Sequence, residues 1–151
     1  MDKLKRYITD WAVNYEKHRD MIKKEIEKLE IKEDEIAICL KERKRYILVI
    51  PKMEDAESLR VKIKELQNVT VVTINSKDNL QFIIDNWKKF TDIKGLAIIF
   101  INPFSNTDNK WIIKPYVHQL IAENKALKKG LKSMFSMVEP ITEKEFLKNI
   151  E

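Results

Sequence analysis

The stretch that decides the fold is residues 69–101, VTVVTINSKDNLQFIIDNWKKFTDIKGLAIIFI. Residues 69–74 form a short and almost continuous apolar run, which is typical of a strand covered on both faces. Ser76 is a suitable helix N-cap, and the apolar residues after it recur at helical spacing as far as Phe90. Gly95 closes the next turn, and residues 96–101 are the most hydrophobic run of the chain. The pattern predicts a strand, a helix and a second, parallel strand.

The residues before this stretch extend the same alternation. Residues 36–40 and 46–50 are β-prone runs, so we expect a hairpin with a charged loop at residues 41–45. Asp55 can cap a helix that continues to about Leu66. Residues 110–114 can add a further short strand at the other end. The expected fold is therefore α/β, a three-layer sandwich with a mixed, mostly parallel sheet of about four to five strands.

The N-terminal segment predicts one long helix over residues 3–30. Its apolar and aromatic side chains recur every three or four residues in a narrow seam, and all other sides are charged. The helix either lies across the sheet or pairs with a second copy of the chain, which would give a homodimer through residues 4–29. We expect a single domain, 1–151, in which this helix precedes a sheet-and-helix core at residues 35–151. The seam comprises Leu4, Ile8, Trp11, Tyr15, His18, Ile22, Ile26 and Leu29.

Composition narrows the setting of the protein. The chain has 151 residues, of which 44% are hydrophobic, enough to form a core, and 35% are charged, above the usual quarter. The excess of Lys and Glu with only 2 Gly resembles a thermophile composition. A lone Cys39 in an apolar run indicates a core residue and a reducing compartment. No apolar run approaches the length of a membrane span, so we expect a cytoplasmic protein with no membrane partner.

The excess positive charge is concentrated in residues 110–132, which hold six lysines and one glutamate. The net charge of this segment, +5, equals that of the whole chain. We expect a helix from Pro115 to about Val138, with an apolar face toward the core. Whether it continues past Gly130 is left open. The opposite side carries a basic stripe, which is typical of a helix lying along a nucleic-acid backbone. The stripe comprises Lys114, His118, Lys125, Lys128, Lys129 and Lys132, and Arg43, Lys44 and Arg45 of the hairpin loop would extend it.

The loop at residues 102–110 is the second candidate site. Ligands of open α/β sheets bind beyond the carboxyl ends of the strands, where this loop begins. Together with the start of the helix at Pro115, its polar groups could hold a phosphate or carboxylate. The loop has no glycine, and the chain has no phosphate-loop or dinucleotide fingerprint, so a plain surface turn is the alternative. The candidate residues are Asn102, Ser105, Asp108, Lys110, Lys114 and His118.

No catalytic signature accompanies these residues. The chain has no HExxH, no paired Cys/His set, no GxSxG and no Glu-x-Lys within a strand. We therefore expect no metal site and no cofactor, and catalysis stays undecided. Three hypotheses follow, in order of preference. The chain is a nucleic-acid-associated domain, or a domain that binds an anionic metabolite or nucleotide at the loop, or an assembly protein that dimerises through its N-terminal helix.

Overall fold

The computed structural model describes residues 2–122 and 124–151. The strands are β1 (Ile26–Ile31), β2 (Glu35–Leu40), β3 (Lys44–Val49), β4 (Val69–Ile74), β5 (Ala97–Ile101) and β6 (Lys110–Ile113). The α-helices are α1 (Lys3–Lys23), α2 (Ala56–Leu66), α3 (Lys77–Asp85), α4 (Pro115–Ile121), α5 (Leu127–Phe135) and α6 (Glu143–Ile150). Short 3₁₀ turns at Trp87–Lys89 and Asn124–Ala126 follow α3 and precede α5.

The strands form one mixed sheet in chain order, β1 to β6. β3, β4 and β5 are parallel and are connected by α2 and α3, whereas the other three pairings are antiparallel. Side chains of α2, α3 and α5 pack on one face, and those of α1 and α6 on the other. The α/β class and the three layers are as expected. The expected strand count and mostly parallel order are wrong, because the N-terminal segment supplies an antiparallel strand.

That extra strand also corrects the predicted helix at residues 3–30, since α1 ends at Lys23. Asp20 Oδ1 and Oδ2 accept hydrogen bonds from the backbone N–H of Glu25 (2.8 Å) and Ile26 (3.2 Å). Lys24 adopts the left-handed conformation at φ 51° and turns the chain back. A bulge near Ile26 lets this residue and Leu29, three positions apart, both pack against the core on the α1 face. The bulged strand therefore imitates helical spacing.

The first part of the α1 seam packs on the chain's own sheet. Leu4, Ile8 and Ala12 are buried there among the side chains of β2 to β5 and α6. The ring of Tyr7 meets that of Phe146 of α6 edge-on at 5.6 Å. At the other end of the seam His18 is exposed, and Ile22 is 94% exposed. The seam is thus covered along its N-terminal half and open along its last turns.

The central strands carry the core, as their sequences predict. Val71, Val72 and Phe100 are buried on the two faces of the sheet. The indole of Trp111 on β6 stacks on the Phe100 ring at 4.2 Å, which ties the last strand to the centre. Asp55 and Ser76 cap α2 and α3 as expected. The capping box of Thr142 and Glu145 starts α6.

The helix expected from Pro115 onward is broken, and not at Gly130. α4 ends at Ile121, the 3₁₀ turn intervenes, and Gly130 lies inside α5. The apolar face expected to pack on the core also differs between the two helices. Leu131 and Phe135 of α5 are buried, whereas Val117, Leu120 and Ile121 of α4 are 49%, 63% and 81% exposed. Because α4 has only two turns, its direction is set by the neighbouring segments and not by its own apolar stripe.

Candidate nucleic-acid interface and cleft

The carboxyl ends of the parallel strands are partly covered by the chain itself. The buried side chain of Asn75, after β4, donates to the carbonyls of Phe135, Val138 and Glu139 at 3.1–3.4 Å. Its Oδ1 accepts a hydrogen bond from Trp111 Nε1 at 2.7 Å. The segment that follows α5 therefore covers part of this end of the sheet. Beside this segment a pocket of about 760 Å³ remains open, lined by residues that follow β3 and β4, such as Pro51 and Ser76.

A second buried asparagine lies at the same end of the sheet. Asn79 Nδ2 lies 2.9 Å from the carbonyl oxygens of Pro51 and Ile74 and from Thr73 Oγ1. Its Oδ1 accepts from the backbone N–H of Met53 at 2.9 Å. Among the described residues, no buried side-chain nitrogen or oxygen lacks a partner. The buried polar side chains at this end are therefore used for folding.

The loop at residues 102–110 is attached to the segment that follows α5. Asn102 is buried, and its Nδ2 donates to the Glu139 carbonyl at 2.9 Å. Ser105 Oγ accepts from the Glu139 backbone N–H at 3.3 Å, and Thr107 Oγ1 donates to the Met137 carbonyl at 3.1 Å. Asp108 is exposed and forms an isolated bridge with Val138. The loop's hydrogen-bonding groups are largely engaged within the fold.

The three basic residues expected near this loop lie in three different places. Lys110 Nζ sits 5.3 Å from the centre of the Tyr15 ring of α1. The His118 ring meets Trp87 edge-on at 5.5 Å. Lys114 lines a cleft at the opposite end of the parallel strands. The structure does not bring these groups together into one anion site.

Four lysines of the predicted basic stripe do come together. Lys125, Lys128, Lys129 and Lys132 are exposed and line one shallow depression with Ser133 and Ser136. Their spacing of three and four residues places them on one side of α5 and the 3₁₀ turn before it. Leu131 and Phe135 anchor the other side in the core. We call these four residues the lysine face.

The lysine face is not neutralised by the described residues around it. Eight ion pairs connect the described residues, and none involves a residue between 110 and 132. Five lysines elsewhere are paired, among them Lys62 with Glu35 and Lys89 with Glu57. α5 itself contains no acidic residue. The lysine face therefore carries a local positive field. Over the rest of the chain, positive and negative charges balance.

The basic hairpin loop divides between two roles. Lys44 is exposed at the start of β3, and Arg43 lines the cleft that also holds Lys114. Arg45 points to the α1 face and pairs with Glu16 of α1, its Nη2 lying 2.8 Å from Oε2. Arg43 and Arg45 therefore do not extend the lysine face, because they line the cleft on the α1 side, whereas α5 packs on the opposite face of the sheet.

The cleft was not predicted from the sequence. It lies between the last turns of α1 and the amino ends of the parallel strands, and its volume is about 510 Å³. We call it the amino-end cleft. Its wall contains a carboxylate, that of Glu16, which is only 2% exposed and also lies 3.5 Å from Arg19 Nη1. An available signal was Arg45, which occupies an inward position of β3 in alternation with Ile47 and Val49.

Residues 2–122 and 124–151 hold neither a candidate metal cluster nor a membrane-spanning helix. That part of the chain has no group of three or more His, Cys, Asp or Glu side chains placed to hold a metal ion. None of its helices combines the length and apolarity needed to cross a membrane. No protein-family model, curated protein or solved structure matches this chain.

Proposed function

We propose that this protein binds the phosphate backbone of nucleic acids through the lysine face of α5. The observation that carries the proposal is the clustering of four exposed lysines on one side of α5 and the turn before it, to which no described residue forms an ion pair. Neutralising phosphates releases counterions from a nucleic acid, and four lysines on one helix side suit that purpose.

The geometry favours a backbone contact over base reading. Lysine is a compact point charge that holds phosphate without sequence information, and the lysine face contains no arginine, asparagine or glutamine. The hydroxyl groups of Ser133 and Ser136 beside it donate hydrogen bonds to backbone carbonyls of α5, at 3.0 and 2.9 Å. The proposed binding therefore has little sequence preference and a strong dependence on salt.

The test is binding of labelled single- and double-stranded DNA and RNA by fluorescence anisotropy, from 50 to 200 mM salt. With four phosphate contacts, duplex affinity should fall about 100-fold over this range. Changing Lys125, Lys128, Lys129 and Lys132 together to alanine should remove most of the binding at 50 mM. The slope of log affinity against log salt should decrease by up to about 3.6.

A control with equal net charge separates a specific surface from general basicity. Lys52, Lys62, Lys64 and Lys89 are four ion-paired lysines, and their change to alanine alters the net charge by the same amount. This variant should retain its affinity within about threefold. Equal loss in both variants would contradict the proposal. So would binding to vesicles of anionic lipid without binding to any nucleic acid, since exposed apolar residues of α4 precede the lysine face.

A further inference from the structure

We propose that the amino-end cleft is a second site, which binds a small organic anion carrying a phosphate monoester. The cleft lies on the α1 face of the sheet, whereas the lysine face belongs to α5 on the other face. The two sites use different residues. The inference therefore does not depend on the proposed function, and variants can test each site separately.

The floor of the cleft exists because two sheet residues are small. Thr70 of β4 pairs with Ala97 of β5, and the register places Lys114 beside Ala97, one position beyond the pair of Ile98 and Ile113. The next row toward the carboxyl end contains the larger Val72, Ile99 and Ile112. The space above the small residues, about 510 Å³, falls in the range of small-molecule sites.

The charges around the cleft favour a dianion. Its lining contains five cationic side chains, those of Arg19, Lys23, Arg43, Arg45 and Lys114, and three acidic ones, those of Glu16, Asp20 and Glu25. Two of the acids are engaged within the fold, Glu16 by Arg45 and Asp20 by two backbone N–H groups. The net charge of the whole lining, five cations and three carboxylates, is about +2, which matches a phosphate monoester carrying −1.5 to −2 at neutral pH.

The buried ion pair gives this cleft a fixed cation. Glu16 holds Nη2 of Arg45 at 2.8 Å and lies 3.5 Å from Nη1, so it uses at most two of the five guanidinium N–H donors. A buried pair of this kind adds little stability on balance, because desolvation offsets the attraction. Its effect here is to hold a planar donor group at the cleft wall. Guanidinium groups match the oxygen spacing of phosphate.

The apolar floor selects against a bare ion. Ile99 and Ile112 lie beside the charged rim, and Leu40 closes the side toward β2. Inorganic phosphate would leave these surfaces wet, whereas the organic part of a phosphate ester would cover them. The expected ligand class is therefore a nucleoside or sugar phosphate, or the 5′-phosphate end of a nucleic acid, which presents the same group.

The test is isothermal titration calorimetry of the full chain with AMP, glucose 6-phosphate, adenosine, inorganic phosphate and succinate. A 5′-phosphorylated hexanucleotide and its 5′-hydroxyl counterpart distinguish the two sources of the group. At least one phosphate monoester should bind ten or more times tighter than inorganic phosphate, succinate or the unphosphorylated counterpart. The proposal is overturned if no monoester shows this preference, or if succinate binds as tightly as the best monoester.

Variants locate the binding. Lys114→Ala should weaken it about tenfold or more, the factor for losing one charge-assisted hydrogen bond, whereas Lys148→Ala on α6 should not. Ala97→Leu fills the floor without removing a charge and should abolish binding, with folding checked by circular dichroism. Should Ala97→Leu not fold, Arg43→Ala at the exposed rim provides the second test. Undiminished binding by Lys114→Ala and Arg43→Ala would overturn the site, and the alanine variant of the lysine face should bind normally.

Discussion

The ion pair between Arg60 and Asp92 makes the stability of the fold depend on pH. Its Nη1 and Nη2 lie 2.6 and 2.7 Å from the two carboxylate oxygens of Asp92, a bidentate contact that joins α2 to the turn before β5. The hydrogen bond from Arg60, and then its charge, lower the pKa of Asp92 from 3.8 to about 2. A carboxyl group whose pKa is lower in the folded state stabilises the fold above its unfolded pKa.

We therefore predict that Asp92→Asn lowers the free energy of unfolding by more at pH 7 than at pH 2. Because the pair is partly exposed, the expected loss is about 0.2–1 kcal/mol. The difference from the native chain should shrink as the pH falls from about 4 to 2, through the pKa of the folded state. Urea unfolding at pH 2, 3, 4 and 7 measures it. A loss at Asp92 that is as large at pH 2 as at pH 7 would contradict the assignment.

At the scale of elements, α5 is a helix that contains a glycine without needing one. A Cβ added at Gly130 would meet nothing within 4 Å, and the residue has an ordinary helical conformation. Gly95 differs, because its φ is +81° and an added Cβ would lie 3.3 Å from Asn68 Oδ1. The two glycines of the chain therefore predict opposite effects of the same substitution.

We expect Gly130→Ala to raise the free energy of unfolding by about 0.5–1 kcal/mol, since alanine loses less backbone entropy in a helix. Gly95→Ala should lower it by about 1–2 kcal/mol, because alanine is strained at positive φ. Urea unfolding of both variants is the measurement. A destabilising Gly130→Ala would show that α5 is not a regular helix at this residue. The same variant should leave nucleic-acid affinity within about twofold, because it changes no charge.

At the scale of the whole molecule, the question is what α1 packs against, the chain's own sheet or a second copy of the chain. Its buried residues, Leu4, Ile8 and Ala12, contact the chain's own core, whereas Met21 and Ile22 are exposed. Stability that comes from the sheet is independent of protein concentration, whereas stability that comes from a partner chain increases with it. The two contributions can therefore be separated by a thermodynamic measurement.

We predict that Ile8→Ala lowers the free energy of unfolding by about 2–5 kcal/mol, the cost of a cavity in a core. Ile22→Ala, at an exposed position of the same helix, should change it by less than about 0.5 kcal/mol. Thermal melting over a 100-fold range of protein concentration should give one Tm for the native chain. A Tm that rises with concentration would favour the homodimer through residues 4–29.

Local patterns were sufficient for several elements and for four of the nine residues of the candidate interface. β4 agrees with the predicted strand, and the caps at Asp55 and Ser76 lie where the sequence predicts them. The four lysines at residues 125–132 share one side because their spacing matches a helical turn. Lys114 and His118 were assigned to the same stripe, but the break after α4 separates them from it.

Local patterns were insufficient where two structures share one spacing or where partners are distant in sequence. Residues 26–31 fit the helical repeat, and only pairing with β2 makes them a strand. The loop at residues 102–110 has the composition of a binding loop, yet its hydrogen bonds go to residues more than 25 positions away, which the sequence does not reveal.

The sequence by itself determined the parallel centre of the sheet, the helix caps and the lysine face, because each depends on side chains within one or two turns of one another. Only the tertiary structure decided which polar groups are engaged and where space is left. The amino-end cleft joins Glu16, Arg45 and Lys114 from three separate elements. Its shape follows from packing between segments, and its charge from pairing across them. Neither property is a function of local spacing.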